Sequence, residues 1–134
     1  HVAGTIAAPM TMAGVNSGVI GVAPQAKIIP VKVLSAANGS GSFGGIIQGI
    51  VYAADAGANV INMSLGVRGG LAIGGQEVAE LVNATARATR YARAKGALVV
   101  ASAGNDGMNL DATSGLQGCT AAGDCSLDSR GVAI

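Results

Sequence analysis

The run from Ala97 to Gly107, ALVVASAGNDG, constrains this chain more than any other stretch. Ala97, Leu98, Val99, Val100 and Ala101, with Ala103 resuming after one serine, are too continuous for a half-exposed strand and too short for a capped helix. They suit a parallel strand covered on both faces. The run stops at Gly104, and Asn105 follows at the carboxyl end of that strand, where open α/β sheets place their ligands. A side-chain amide there can donate to an oxygen that is gaining negative charge. Asn-Asp-Gly is also what a plain turn uses, and the residues alone leave both readings open.

The remaining segments supply the partners such a strand needs. Half of the 134 residues are apolar, yet Phe43, Tyr52 and Tyr91 are the only aromatics, so the core must be built from Ala, Val, Ile and Leu. The 22 glycines imply many tight turns or close backbone approaches. His1–Ala8 reads as part of a helix, and residues 9–24 as a loop. Lys27–Leu34, KIIPVKVL, reads as a first strand, although Pro30 removes one ladder donor and argues for an edge or a bulge. From Ser42 the period becomes helical, with Phe43, Ile46, Ile47, Ile50, Val51 and Ala54 at steps of three and four, Ser42 as N-cap and Gly57 as stop. Ala58–Leu65 reads as a second strand. Gln76–Lys95 reads as a second helix, with an apolar stripe at Val78, Leu81 and Val82. Its acids Glu77 and Glu80 lie early and Arg90, Arg93 and Lys95 late, as the helix dipole favours. The alternation of strand and helix implies right-handed crossovers and a parallel sheet in an α/β fold. Loops 35–41, 64–70 and 104–107 should then converge on one edge, offering backbone groups and few charges, an arrangement fit for an extended peptide.

Other ligand classes fare worse. A net charge of +1 without a basic run leaves no electrostatic footprint for nucleic acid, and no apolar stretch is long enough to cross a membrane. Gly39-Ser40-Gly41-Ser42-Phe43-Gly44 matches the dinucleotide pattern G-x-G-x-x-G and opens a helix after a strand. Its first glycine, however, stands five residues beyond Leu34, and Met63-Ser64-Leu65 offers no acid for a ribose. The glycines better serve the close approach of a peptide backbone. Cys119 and Cys125 enclose CTAAGDC in a polar, irregular segment. With one histidine in the chain a zinc site lacks ligands, which leaves a disulfide or two idle thiols. The surroundings favour the disulfide, and with it a secreted or extracellular protein.

Four blocks, HVAGTIAA, GVIGVAPQAKIIPVKVL, GSGSFGGIIQGIVYAADAGANVINMSLG and ALVVASAGNDG, follow one another in the order and approximate spacing of the subtilisin-like serine proteases. The chain resembles that family from about Val2 to Gly107. The resemblance implies a three-layer α/β fold, a mostly parallel sheet with helices on both faces, and a Ser-His-Asp endopeptidase acting on peptide or protein substrates as a monomer. Asn105 matches the oxyanion-hole asparagine. Gly39, Ser40 and Gly41 match one peptide-pairing segment and Ser64, Leu65 and Gly66 the opposite one, with Ser102, Ala103 and Gly104 lining the primary specificity pocket. No cofactor is required for the chemistry. A structural calcium is the one metal the resemblance brings, at Asn16 and the Val19 carbonyl, in a loop one residue shorter than the common form.

The same resemblance places the triad outside the chain. His1 fits the second histidine of the family's H-G-T-H-V-A-G motif, so the base is expected three residues before position 1, the triad Asp further upstream and the nucleophile well downstream. Ser64 matches a binding segment and has no base. The expectation is an internal piece of one catalytic domain, incomplete at both ends. The rival is a peptide-binding pseudoenzyme of the same fold.

Overall fold

Residues 1–9, 19–66 and 76–102 are described by the computed structural model, and the chain divides into two units, His1–Pro30 and Val31–Ile134. In the first unit, α1 (Val2–Ala7) is a short helix. The chain returns along its end through three backbone bonds, in which the N–H groups of Gly21, Val22 and Ala23 donate to the carbonyls of Ala8, Thr5 and Ile6 at 2.8–3.0 Å. Gly21 is required there, because a Cβ would fall within 2.6 Å of backbone atoms of Ile6, Ala7 and Ala8.

The second unit is built on α2 (Phe43–Asp55) and α3 (Gln76–Ala94) with two parallel strands, β1 (Val60–Met63) and β2 (Leu98–Ala101). The Ser42 hydroxyl caps α2 by accepting from the Gly45 N–H at 3.1 Å, as its spacing predicts. Both helices end in the same way. Gly57 and Gly96 adopt φ of +80° and +91°, a region open to glycine. Their N–H groups donate to Ala54 and Arg93, while the next residues, Ala58 and Ala97, donate to Ala53 and Ala92. This pair of bonds is the Schellman arrangement, and it turns each helix directly into its strand.

The two strands therefore start side by side, Val60 opposite Leu98 and Met63 opposite Ala101. The Leu98 N–H donates to Asn59 at 2.8 Å before the ladder and the Ser102 N–H to Met63 at 3.3 Å beyond it. Ile61, Met63 and Val99 point from one face of the pair into a core completed by Ile50, Ala53 and Ala54 of α2, Ala88 and Ala92 of α3, and Ala97. Alanines dominate because they let helix and sheet backbones come close. Burying Val99, Ile50, Ile61 and Met63 stabilises the unit by about 1.5–3 kcal/mol per side chain. Thr85 and Thr89 are buried too, and each satisfies its hydroxyl on a carbonyl of its own helix, Leu81 and Ala86.

Two expectations need correction. Lys27–Leu34 forms no ladder among the described residues. Pro30 lacks a donor and the boundary between the units falls directly after it. Val31 instead packs against the core, and Val33 lies beside Gly49 of α2. Nor is the apolar run of β2 covered on both faces among the described residues. Val99 is 1% exposed, but Leu98 is 53% and Val60, opposite it, 57% exposed. The strands are also shorter than their apolar runs, since pairing and not composition sets their ends.

The carboxyl ends of α2 and α3 are tied at the surface. Asp55 is the last residue of α2, where the helix dipole disfavours an anion. The Tyr91 hydroxyl donates to its carboxylate at 2.6 Å and the Lys95 ammonium stands 3.3 Å away, 5.3 Å from the Tyr91 ring centre. The tyrosine hydrogen bond, then the lysine, hold the Asp55 carboxyl below its usual 3.8. A depressed carboxylate contributes stability above its unfolded-state value and loses it as pH falls through the folded-state one. In the full-length protein, Asp55→Asn should lower the melting temperature slightly at neutral pH, with the deficit closing as the pH is taken below 3.8. Thermal melts across pH check this; a deficit independent of pH contradicts it.

Two glycines of α2 separate helix propensity from packing. A Cβ at Gly44 meets nothing within 4 Å, whereas at Gly49 it would lie 2.5 Å from Val33 Cγ1 and 3.3 Å from Val31 Cγ1. Gly44→Ala should stabilise the full-length protein by about 0.5 kcal/mol, and Gly49→Ala should destabilise it by about 1–3 kcal/mol. Denaturant unfolding of both variants, with proteolysis blocked, reads the opposite signs.

Candidate functional site

Loop 35–41 enters α2, and β1 leaves it. At 1.5 Å per residue α2 is about 20 Å long, and Val60 to Gly66 in extended conformation covers about the same. Since β1 runs back along α2 after the turn at Gly57, the loop before α2 and the segment after β1 lie at one end of the unit. The carboxyl end of β2 joins them through the parallel pairing. Loop 35–41, Ser64–Gly66 and Ser102 thus share one end of the unit, while residues 67–70 and 104–107 lie outside the described residues.

Loop 35–41 is folded on itself. The Ser35 N–H donates to the Ser40 carbonyl at 2.7 Å and the Gly39 N–H to the Ser35 carbonyl at 2.9 Å. The Ser35 hydroxyl accepts from Ala37, and the Asn38 side chain accepts from the Ser40 N–H at 3.0 Å. Gly39 has φ +69°, and a Cβ at Gly41 would fall 2.3 Å from the Val33 carbonyl oxygen. The glycines are there for a left-handed turn and a close backbone approach. With the N–H groups of Gly39 and Ser40 engaged inside the loop, the segment is poorly suited to cradle a phosphate. Among the described residues the Gly39 carbonyl and both backbone groups of Gly41 have no partner and are open to a ligand.

On the other segment, the alternation of a strand decides which groups are available. Asn59 and Met63 direct their carbonyls to β2, so Leu65, of the same parity, does so too, and its side chain packs against the core. The Leu65 carbonyl accepts the Ser102 hydroxyl at 3.3 Å. Ser64 and Gly66 have the opposite parity, and their backbone groups face away from β2. The Ser64 hydroxyl accepts from the Asn62 side chain at 2.9 Å. The structure therefore ties Leu65 to Ser102 by a direct bond and leaves its chain neighbours Ser64 and Gly66 exposed on the edge away from β2. Ser35, Asn38 and Asn62, which hold these segments in shape, were absent from the sequence expectations. Asn38 and Ser35 could have been found, because Asn and Ser in turns accept from N–H groups two residues on.

Asn105, Ala103, Gly104, Asn16, Cys119 and Cys125 lie outside the described residues. Of the expected calcium pair only Val19 is described, with an exposed side chain. Among the described residues no group of three acidic, His or Cys side chains could hold a metal, and no helix is long and apolar enough to cross a membrane. Few charges line the edge, which suits hydrogen bonding to a neutral backbone.

Comparison with known proteins identifies the family. The family model described as Subtilase family matches residues 1–124. The chain is 45% identical over 107 residues to the major intracellular serine protease of Bacillus subtilis (strain 168), covering 80% of this chain and 29% of that protein. It is 42% identical over 121 residues to the intracellular serine protease of Paenibacillus polymyxa, covering 89% and 32%. The crystal structure of the epidermin leader peptide processing serine protease from Staphylococcus aureus superposes with a TM-score of 0.65 at 29% identity, covering 83% of this chain and 25% of that one. The chain thus spans about a third of the length of these relatives. From the sequence blocks, the parallel helix-and-strand framework and these matches together, the chain belongs to the subtilase family.

Proposed function

We propose that the complete protein is a serine endopeptidase in which this chain forms part of one catalytic domain and holds the substrate rather than cutting it. The observation that carries the reading is the strand edge at Ser64 and Gly66, left open because Leu65 turns its carbonyl to β2 and Ser102. An extended peptide can pair there by main-chain hydrogen bonds and, on its other side, with the free groups of Gly39 and Gly41. Such pairing recognises backbone and not side chains, so substrate preference is broad. Ser102, Ala103 and Gly104 form the wall beside the residue next to the cleaved bond. The nucleophile and base come from flanking sequence, and the protein acts as a monomer.

Asn105 follows β2 in the sequence by four residues, and its amide serves the carbonyl oxygen as attack makes it negative. A donor held there stabilises the transition state more than the neutral ground state. No step passes through a metal. A calcium held by Asn16 and the Val19 carbonyl would brace the first unit and not react. Extracellular location rests on the Cys119–Cys125 pair, while two of the relatives are named intracellular.

In the full-length enzyme, Asn105→Leu should lower kcat and kcat/KM alike while KM stays nearly constant. The drop should be about 10²–10³, a size borrowed from the same loss in a subtilisin. Steady-state kinetics on the folded variant check it; kcat within about threefold of the parent would make Asn105 a turn residue only. A full-length protein that binds peptides and cleaves none is the pseudoenzyme instead. Mass spectrometry of the unreduced native protein should find Cys119 linked to Cys125, a short loop that adds roughly 2 kcal/mol. Two alkylatable thiols would remove the argument for an extracellular protein.

A further inference from the structure

The ladder between β1 and β2 ends at Met63 and Ala101, yet the chain is held to β2 for two residues more. Ser102 does this by donating twice, its N–H to the Met63 carbonyl and its hydroxyl to the Leu65 carbonyl, both at 3.3 Å. A backbone N–H alone grips one carbonyl. The hydroxyl grips the next one of the same parity and so carries the sheet edge past its last paired residue. Asn62 secures the intervening residue from the open face through Ser64. No other side chain among the described residues bonds to the Leu65 carbonyl.

We propose that Ser102 is a positioning residue for substrate pairing: its hydroxyl, by holding the Leu65 carbonyl, keeps Ser64 to Gly66 extended so that Ser64 and Gly66 present their backbone groups to a peptide. The proposal rests on the peptidase reading and deepens it. It differs from lining a pocket, because a lining residue alters the fit of one substrate side chain, whereas Ser102 alters how far along its backbone a substrate is gripped. Ser64 and Gly66 are two residues, about 6.6 Å, apart. A tetrapeptide reaches both; a single-residue ester does not.

The test uses full-length protein carrying Ser102→Ala and Ser102→Thr, with a tetrapeptide amide and a single-residue ester as substrates. Ser102→Ala should reduce the ratio of kcat/KM on the tetrapeptide to that on the ester by roughly three- to tenfold, about the weight of one hydrogen bond. The change should lie in KM, and Ser102→Thr, which keeps the hydroxyl, should restore it. Amide exchange of segment 60–66 should quicken in Ser102→Ala and not in Ser102→Thr. Equal losses on both substrates would leave Ser102 a pocket wall and nothing more, and unchanged exchange would mean that the hydroxyl holds nothing; either overturns the proposal. A parent that hydrolyses neither substrate defeats the peptidase reading instead. Affinity for the tetrapeptide, measured by calorimetry on the same variants, then decides the role of Ser102: loss in Ser102→Ala with recovery in Ser102→Thr supports it, and equal affinity refutes it.

Discussion

The side-by-side start of β1 and β2 is the constraint from which the site follows, and two glycines set it. Gly57 and Gly96 take positive φ at the ends of α2 and α3, and each closes a Schellman pair that delivers its strand within three residues. The strands leave these ends parallel, with Val60, three residues past Gly57, opposite Leu98, two past Gly96. A slip of one residue by either strand would turn its own core side chains, Ile61 and Met63 or Val99, outward and redirect its backbone groups beyond the ladder. The core and the open edge at Ser64 and Gly66 are thus two consequences of one register.

Much of this frame was legible in the residues. Ser42 and Gly57 bracket α2 because capping and left-handed turns have local chemical signatures, and the apolar spacing between them is helical. The charge order of Gln76–Lys95 marked α3 for the same reason, its observed end falling at Ala94. Strands were less legible, since pairing depends on a distant partner. KIIPVKVL has the composition of a strand, but Pro30 and the unit boundary beside it leave the segment without a ladder among the described residues. The apolar continuity of Leu98–Ala101 suggested cover on both faces, where one face is packed and the other open among the described residues.

The site divides along the same line. Gly39 and Gly41 were readable as places where a backbone must come close, and the structure gives the reasons, a left-handed turn at one and the Val33 carbonyl at the other. What no local pattern could reveal is the bond from Ser102 to Leu65, between residues 37 positions apart in the chain. In sequence Ser102 is an interruption of an apolar run. In the fold it takes up a carbonyl the ladder no longer reaches.

The division of labour that emerges is between a rigid frame and a backbone edge with few charges, which suits a ligand recognised by its own main chain. The most direct test is a crystal structure of the full-length protein with a substrate-like peptide inhibitor. The peptide should lie extended between the two segments, hydrogen-bonded to Gly66 on one side and Gly41 on the other, with the Ser102 hydroxyl on the Leu65 carbonyl. A peptide bound elsewhere, or lying in the cleft without main-chain bonds to the Ser64–Gly66 edge, would contradict the account.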